Sequence, residues 1–268
     1  HPVAHSFPTR RSSDLGRIDA LGKGVDGFKT GDRVAAISNH AFAEYDIAGA
    51  ESVILLPDSL FGLPFPGEPL GCAMNIFSRS DIQAGQWVSV IGVGFLGALL
   101  INLSVKAGAR VIAVSRRSFS LEIARRTGAE YTIQIGDERQ VIEEVKDITE
   151  GLFCDRVIEA TGFQKPLDIA SEITRVRGRL VIAGFHQDGH RKVDMQLWNW
   201  RGLDVINAHE RDPRQYVRGV GEAVRFITEG RLDPNPLMTH FFEKENISQA
   251  FQIARKRPDG FVKALIVF

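Results

Sequence analysis

The sequence lacks three features that would each indicate a particular class of protein. Its 268 residues include only two cysteines, Cys72 and Cys154, too few for a disulfide framework, which favours a reducing cytoplasm. Its 33 basic and 33 acidic side chains cancel, so no net charge draws it to nucleic acid or to an anionic membrane. Its longest apolar run, around 91–105, is broken by glycines and is shorter than the ~20 residues that a membrane span needs. We therefore expect a cytoplasmic protein with neither a nucleic-acid nor a membrane partner.

Residues 1–15 lack the pattern of the rest of the chain. The string HPVAHSFPTRRSSDL has no initiator Met, no apolar signal-peptide core and no helical or strand period. It resembles a translated cloning or sequencing-adapter remnant, and the alternative is a disordered native tail. We set it aside as a non-native or disordered leader, and we expect that part of the natural N-terminal region is missing before Gly16.

From Trp87 onward, short apolar runs alternate with segments of helical spacing. The runs expected to be strands are WVSVIG, RVIAVS, YTIQI, RVIEAT, RLVIAGF and LDVINAH. They are continuous rather than alternating, which is typical of a parallel sheet covered by helices on both faces. The sequence therefore predicts an α/β fold with a Rossmann doubly wound parallel sheet.

The residues on either side of this predicted sheet have a different pattern. Residues 16–66 contain short strands separated by Gly, Pro and Asp turns, as in a small β domain. After the sheet, the pattern predicts helices over Tyr216–Gly230 and 247–257 and a closing strand within 261–268.

The segment GVGFLG, residues 92–97, matches the pattern G-x-G-x-x-G between a predicted strand and a predicted helix. The first glycine allows a tight turn, the second lets backbone approach a pyrophosphate, and the third lets helix and strand pack closely. The helix N-terminus adds amide donors and a positive dipole end. The alternative is a glycine-rich turn that binds nothing. The residues expected to bind a dinucleotide here are Gly92, Val93, Gly94, Phe95, Leu96 and Gly97.

The end of the second predicted strand bears on the choice of cofactor. NAD sites place an Asp or Glu about 20 residues after the glycine loop, where it accepts hydrogen bonds from the ribose 2′-hydroxyl. This chain has Ser115, Arg116 and Arg117 there. A neutral serine does not repel a 2′-phosphate, and guanidinium groups bind phosphate through paired hydrogen bonds. The sequence therefore favours NADP over NAD, unless the two arginines simply begin a solvated helix.

Taken in order, the motifs resemble a known family. GFKTGDRV, FAEY, ILLPDSL, EPLGC, GVGFLG, RVIEATG, RLVIAGF and GFVKALIV together resemble the medium-chain dehydrogenase/reductases of the zinc-dependent alcohol and polyol dehydrogenase type. The resemblance implies a GroES-like β domain that binds a catalytic zinc, and a nucleotide domain inserted before the last portion of the chain. On this basis, 16–71 is a remnant of the GroES-like catalytic domain, 72–212 is the Rossmann domain, and 213–268 returns to the catalytic domain.

The resemblance also suggests a role for the segment GEPLGCAMN. Relatives with a cysteine at the position of Cys72 use it as a zinc ligand, and polyol-type relatives have a glutamate at the position of Glu68, near the metal. The other ligands in such relatives are a Cys far upstream and a His in a Gly-His-Glu segment, and both would precede Gly16. His40 is not a candidate for the third ligand, because it lies on a different predicted strand and its spacing from Cys72 is not that of a zinc ligand. The alternative is that Cys72 is a small buried apolar residue. Because a catalytic zinc needs about three protein ligands, we expect this chain by itself to lack stoichiometric zinc and alcohol turnover.

Four further positions match places near the cofactor in relatives. Thr161 and Gly162 match a cofactor-facing turn, and Lys263 matches a basic residue that touches the pyrophosphate. The alternatives are a strand cap and a solvated lysine. His209 ends the sixth predicted strand, where it would lie near the nicotinamide and could contact substrate or relay protons as a catalytic residue. A hydrogen-bonded structural role is the alternative for this histidine.

The resemblance implies a zinc-assisted oxidoreductase that transfers a hydride between NADP or NAD and a small-molecule alcohol or carbonyl compound. It also implies a homo-oligomer. Two alternatives stay open: a zinc-free quinone or enone reductase of the same fold, and a non-catalytic nucleotide-binding module. The upstream sequence would separate the first alternative from the zinc enzyme, and a turnover assay would separate the second.

Overall fold

The structure is a computed structural model that describes residues 12–38 and 42–268, with the backbone alone at 12–14. Two compact units divide it. The residues up to Met74 together with Glu210–Phe268 form the split unit, and Asn75–His209 form the central unit. In this described part of the chain, no helix is both long and apolar enough to cross a membrane. His40 and residues 1–11 lie outside the described residues.

The split unit begins with three antiparallel strands. They are β1 (Ser12–Arg17), β2 (Arg33–Ser38) and β3 (Val53–Leu55), and their order in the sheet is β1-β2-β3. The helix α1 (Gly67–Ser80) follows, and the division between the units falls inside it. Whether this sheet is the remnant of a GroES-like domain stays a prediction.

The central unit, every residue of which is described, is a six-stranded parallel sheet with its helices. Its strands are β4 (Trp87–Ile91), β5 (Arg110–Ser115), β6 (Tyr131–Gln134), β7 (Cys154–Glu159), β8 (Thr174–Ile182) and β9 (Asp204–Asn207). Its further helices are α2 (Phe95–Lys106), α3 (Ser118–Arg126), α4 (Glu138–Ile148), α5 (Gln164–Glu172) and α6 (Met195–Arg201). The order β6-β5-β4-β7-β8-β9 is that of a doubly wound sheet, so the predicted Rossmann fold is confirmed.

The chain then returns to the split unit. There it forms α7 (Pro213–Thr228), β10 (Met238–Glu243), α8 (Ile247–Lys256) and β11 (Lys263–Val267). The helix α7 starts at Pro213, with the side chain of Asp212 accepting a hydrogen bond from the amide of Arg214 as its N-cap. Strands β10 and β11 pair in parallel. A side chain at Gly219 of α7 would meet the carbonyl of Gly71, so α7 packs closely on α1.

The core of the central unit lies between its sheet and the helices that cover it, and it is formed largely by the continuous apolar strands. The interior residues of β4, β5 and β7 are almost all buried, as are Leu180 and Val181 of β8, and Leu99, Leu100 and Ile101 of α2 are fully buried. Each such side chain contributes about 1.5–3 kcal/mol relative to an exposed one. The thiol of Cys154, predicted to be core, is fully buried in this cluster. This rigid core holds the carboxyl ends of the strands in fixed positions.

Several sequence expectations need correction. The view that residues 1–15 lack regular structure is wrong for 12–15, which pair with β2, because backbone pairing does not require a side-chain pattern. The helix α1 was missed since Gly67 and Pro69 look like loop signals, although proline is tolerated in a first helical turn. The short helix α6, capped by Asp194, and the strand β10 were also missed.

Candidate functional site

The strand order places a crevice at the carboxyl ends of β4 and β7. In a doubly wound sheet, the connections leave neighbouring strands in opposite directions at this reversal, and ligands bind there. Strand β4 pairs with β5 on one side and with β7 on the other. The glycine loop follows β4, the Ser115 segment ends β5, and the Thr161 turn follows β7. The structure therefore brings these three predicted segments to one edge of the central sheet.

The glycine loop has the backbone geometry that its sequence predicts. Gly92 has a φ of +99°, and a Cβ there would lie 2.5 Å from Cγ2 of Thr161. A Cβ at Gly97 would lie 2.0 Å from the carbonyl oxygen of Gly92, so only glycine lets α2 approach the loop this closely. At Gly94, by contrast, a Cβ would meet nothing within 4 Å.

This contrast bears on whether the loop can hold a dinucleotide. Gly94 is the N-cap of α2 and supplies no side-chain cap, so backbone amides and the positive helix end define this position. The space in front of Gly94 is the space that a side chain would fill. The loop therefore fits a pyrophosphate, and the central unit has the form of a dinucleotide-binding protein.

The segment after β5 also agrees with the sequence reading. Ser115 is buried at the end of the strand, and no acidic side chain takes its place. Arg116 is exposed, and its carbonyl accepts a hydrogen bond from the side chain of Gln134. Arg117 is the N-cap residue of α3 and lies 5.8 Å from the ring of Phe119. Their cofactor role stays a prediction.

The turn after β7 is held by a residue that the sequence reading missed. The carboxylate of Glu159, fully buried, accepts hydrogen bonds from the amide of Thr161 at 2.7 Å and from the amide of Gly162 at 3.0 Å. The hydroxyl of Thr161 also donates to it. A glutamate at the end of the apolar run RVIEAT was the available signal, since a charge in a buried strand needs partners.

A second missed group lies on the loop after β8. Nε2 of His186 lies 3.0 Å from the Glu159 carboxylate, and Nε of Arg191 donates to Nδ1 of His186 at 2.8 Å. Arg191 also donates to the carbonyl of Gly162 at 2.7 Å. The pattern of the segment GFHQDGHRKV gave no sign of this, because the contact joins residues distant in the sequence.

His209, the predicted catalytic residue, is exposed at the end of the central unit. Its ring centroid lies 5.5 Å from that of Phe185, and its amide donates to the side chain of Asn207. The preceding residue, Ala208, is buried, and its carbonyl accepts a hydrogen bond from Asn75. The exposed imidazole leaves its catalytic role a prediction.

The predicted metal residues lie together in the split unit. Glu68 and Cys72 are one helical turn apart on α1, and the thiol of Cys72 donates to Oε1 of Glu68 at 3.2 Å. Burial lowers the pKa of Lys263, while the electrostatic influence of the acidic groups Glu68 and Cys72 acts in the opposite direction. Lys263 therefore lies near these two groups, and its predicted contact with a pyrophosphate stays a prediction.

This pair does not by itself fit a catalytic zinc. Within residues 12–38 and 42–268, no group of three or more His, Cys, Asp or Glu side chains is placed to hold a metal ion. A catalytic zinc takes about three protein ligands and an open position. The two predicted ligands, Cys72 and Glu68, fall short of that number.

Comparison with known proteins finds a family match over part of the chain and relatives along most of it. Residues 96–224 match the family described as "Zinc-binding dehydrogenase". The chain is 24% identical to sorbitol dehydrogenase of Bacillus subtilis, over 94% of this chain and 78% of that protein. It is 27% identical to galactitol 1-phosphate 5-dehydrogenase of Escherichia coli K12, over 97% of this chain and 85% of that protein. A zinc-binding dehydrogenase of Sinorhizobium meliloti, solved with NADP, has a TM-score of 0.81 at 21% identity, covering 95% of this chain and 82% of that one.

The Rossmann sheet and its glycine loop define a dinucleotide-binding protein, and these matches narrow the class. Residues 96–224, a little under half of the chain, match the zinc-binding dehydrogenases, and the predicted resemblance to the medium-chain, alcohol and polyol type is confirmed. It is an oxidoreductase of the alcohol dehydrogenase type. The zinc-free reductase gains no support over this assignment.

Proposed function

We propose that the protein transfers a hydride between NADP(H) and a polyhydroxylated alcohol or its carbonyl counterpart. The single observation that carries the cofactor half is the complete binding loop, with open space at Gly94 in front of the α2 N-terminus. The substrate half rests on two of the relatives, which are named for sorbitol and for galactitol 1-phosphate, although other relatives are named L-threonine 3-dehydrogenase.

The residues of the central unit have distinct roles in this proposal. The amides at the start of α2 hold the pyrophosphate, since they form an anion site at a helix N-terminus. Arg116 and Arg117 bind the 2′-phosphate, and Ser115 leaves that phosphate without a repelling charge. The Thr161–Gly162 turn contacts the nicotinamide half. The bound nicotinamide supplies the hydride chemistry. His209, exposed at the end of β9, contacts the substrate or passes its proton to solvent.

The first experiment measures cofactor binding before any turnover. NADPH and NADH are titrated against the protein, with the change in nucleotide fluorescence as the signal. We expect NADPH to bind about tenfold more tightly, because charged hydrogen bonds to the phosphate favour it. Binding of neither nucleotide would contradict the proposal. A panel of sugar alcohols, their phosphates and simple primary alcohols, assayed at saturating nucleotide, then tests the substrate class.

A separate measurement tests the zinc. We expect elemental analysis of this chain to find well under one zinc per molecule, because Cys72 and Glu68 supply two ligands where about three are needed. Cys72→Ser is the matched variant, and Cys154→Ser is the control at a buried thiol. One zinc per chain that disappears in Cys72→Ser alone would show that further ligands lie outside the described residues. Such a result would give the chain a complete metal site.

A further inference from the structure

The buried carboxylate of Glu159 has no role in the function proposed above. It is 0% exposed, at the end of β7, next to the crevice. A carboxylate in such a place is costly unless hydrogen bonds satisfy it. The backbone amides of Thr161 and Gly162 supply two donors, and the hydroxyl of Thr161 supplies a third. Glu159 therefore ties down the turn that follows its own strand.

The fourth partner of this carboxylate is a histidine in a defined tautomer. Arg191 is a pure donor, so when its Nε lies 2.8 Å from Nδ1 of His186, that nitrogen must accept. The proton of the neutral imidazole is then on Nε2, which lies 3.0 Å from Oε2 of Glu159 and donates to it. The direction of every hydrogen bond from Arg191 to Glu159 follows from this one constraint.

Arg191 also contacts the turn directly, on the side opposite Glu159. Its second guanidinium nitrogen donates to the carbonyl of Gly162 at 2.7 Å and pairs with Asp188. The amide of Gly162 is held by Glu159 and its carbonyl by Arg191. Exposure falls along this series, from 58% at Asp188 to 15% at Arg191 and at His186, and to 0% at Glu159.

The turn that these residues hold also contacts the glycine loop. Glu159 is the register partner of Ile91, the last residue of β4, and the amide of Ala160 donates to the carbonyl of Ile91. Cγ2 of Thr161 lies 2.5 Å from the position that a Cβ at Gly92 would take. A shift of the turn would therefore change the wall of the crevice beside the loop.

We propose that Glu159, His186 and Arg191 are positioning residues that hold the Thr161–Gly162 turn in the geometry that receives the dinucleotide. This inference rests on the proposed cofactor function and adds three residues to it. Because they act through the turn, none of them needs to touch the cofactor. Replacing them should clearly lower the affinity for the nucleotide and should change the thermal stability of the protein little.

The experiment replaces His186 with Phe, which fills similar space and makes no hydrogen bond. We expect NADPH binding to weaken about tenfold, the effect of losing a hydrogen bond to a charged group. His186→Gln, whose amide can donate to Glu159, should recover most of the affinity. The matched control is His190→Phe, an exposed histidine on the same loop, which should bind NADPH as the wild type does. Thermal melting without nucleotide is measured for all of them.

Each possible result of this experiment either supports or contradicts the positioning role. Equal NADPH affinity in His186→Phe and wild type would overturn the inference while leaving the proposed function intact. If His186→Phe both binds NADPH more weakly and melts at a clearly lower temperature than wild type, and if His186→Gln recovers neither property, these residues have only a structural role. If His186→Phe does not fold, Arg191→Met removes the hydrogen bonds to His186 and to the carbonyl of Gly162 but leaves the one between His186 and Glu159, and about threefold weaker binding is expected. A wild-type protein that binds neither NADPH nor NADH overturns both proposals.

Discussion

The central unit and the split unit differ in how completely each contains its own chemistry. The central unit contains all the residues expected to contact a dinucleotide except Lys263, and the buried carboxylate of Glu159 beside them is satisfied by hydrogen bonds. In the split unit, the two residues predicted to bind a metal, Glu68 and Cys72, are hydrogen-bonded to each other. The predicted cofactor site therefore lies almost wholly within the central unit, and the predicted metal site of the split unit has two of the about three ligands that zinc needs.

The cause of this difference lies in how the two units are built. A Rossmann sheet is made of consecutive strand–helix repeats, so its site comes from segments at regular intervals along one stretch of chain. The split unit, by contrast, is assembled from two distant stretches of the chain. Apolar side chains also remain exposed there, among them Ile47 at 92% and Tyr45 at 77%.

The largest effect expected is on dinucleotide binding in the central unit. Gly94→Val should abolish NADPH binding, because the branched side chain fills the space in front of the α2 N-terminus. Its fold should persist, because a Cβ at that position meets nothing within 4 Å. Fluorescence titration and thermal melting test the two halves of this prediction separately.

Gly97→Val supplies the contrasting variant. Its Cβ would lie 2.0 Å from backbone at Gly92, so the variant should lose stability by about 3 kcal/mol or more. If Gly94→Val binds NADPH normally, the glycine loop has no part in the site. If Gly94→Val melts at a temperature as low as that of Gly97→Val, its loss of NADPH binding comes from a destabilised fold and not from the filled space at the loop.

The two cysteines allow the units to be compared by thiol chemistry. Burial, and then the charge of Asp155, raises the pKa of Cys154 well above its usual range, so its reactive thiolate is scarce at neutral pH. Cys72 is only partly buried. We expect iodoacetamide to label Cys72 in the native protein and to label Cys154 only in denaturant. Peptide mass spectrometry reads both sites, and rapid native labelling of Cys154 would show that the central core opens readily.

The sequence predicted the central unit well because each signal there is local. The spacing of GVGFLG between a strand and a helix requires only residues a few positions apart, and the structure confirms that arrangement. The continuous apolar runs predicted the parallel strands for the same reason, since burial on both faces removes alternation. Errors were mostly at ends, as at β8, which starts at Thr174 rather than at Arg179.

The sequence could not predict contacts that depend on the tertiary fold. The hydrogen bonds from Arg191 to His186 and from His186 to Glu159 join the loop after β8 to the end of β7. The sequence around each of these three residues does not indicate which partner it has. The neighbourhood of Lys263 is similar, since its position near Glu68 joins the last strand to α1. Local patterns therefore predicted the binding loop, and packing added the residues that support it.

A smaller effect is expected from exchanging the cofactor-specificity residues. Ser115→Asp with Arg116→Ala should shift the ratio of NADPH to NADH affinity by about tenfold to a hundredfold toward NADH, the range for charged hydrogen bonds. An aspartate there accepts from the ribose hydroxyls and repels a 2′-phosphate. The exposed Arg125→Ala is the control that removes a charge elsewhere on α3. A parent chain that already prefers NADH would contradict the assignment of these residues.

The smallest effect concerns the helix caps, one in each unit. The side chain of Asp137 accepts a hydrogen bond from the amide of Arg139 at the start of α4, and Asp212 makes the same bond to Arg214 at the start of α7. Replacing either aspartate with alanine should cost about 1 kcal/mol of unfolding free energy. Urea unfolding, followed by far-UV circular dichroism, measures each loss. If the units unfold separately, Asp137→Ala should move only the transition of the central unit, and Asp212→Ala only that of the split unit. A single transition shifted equally by both variants would show that the two units unfold as one cooperative structure.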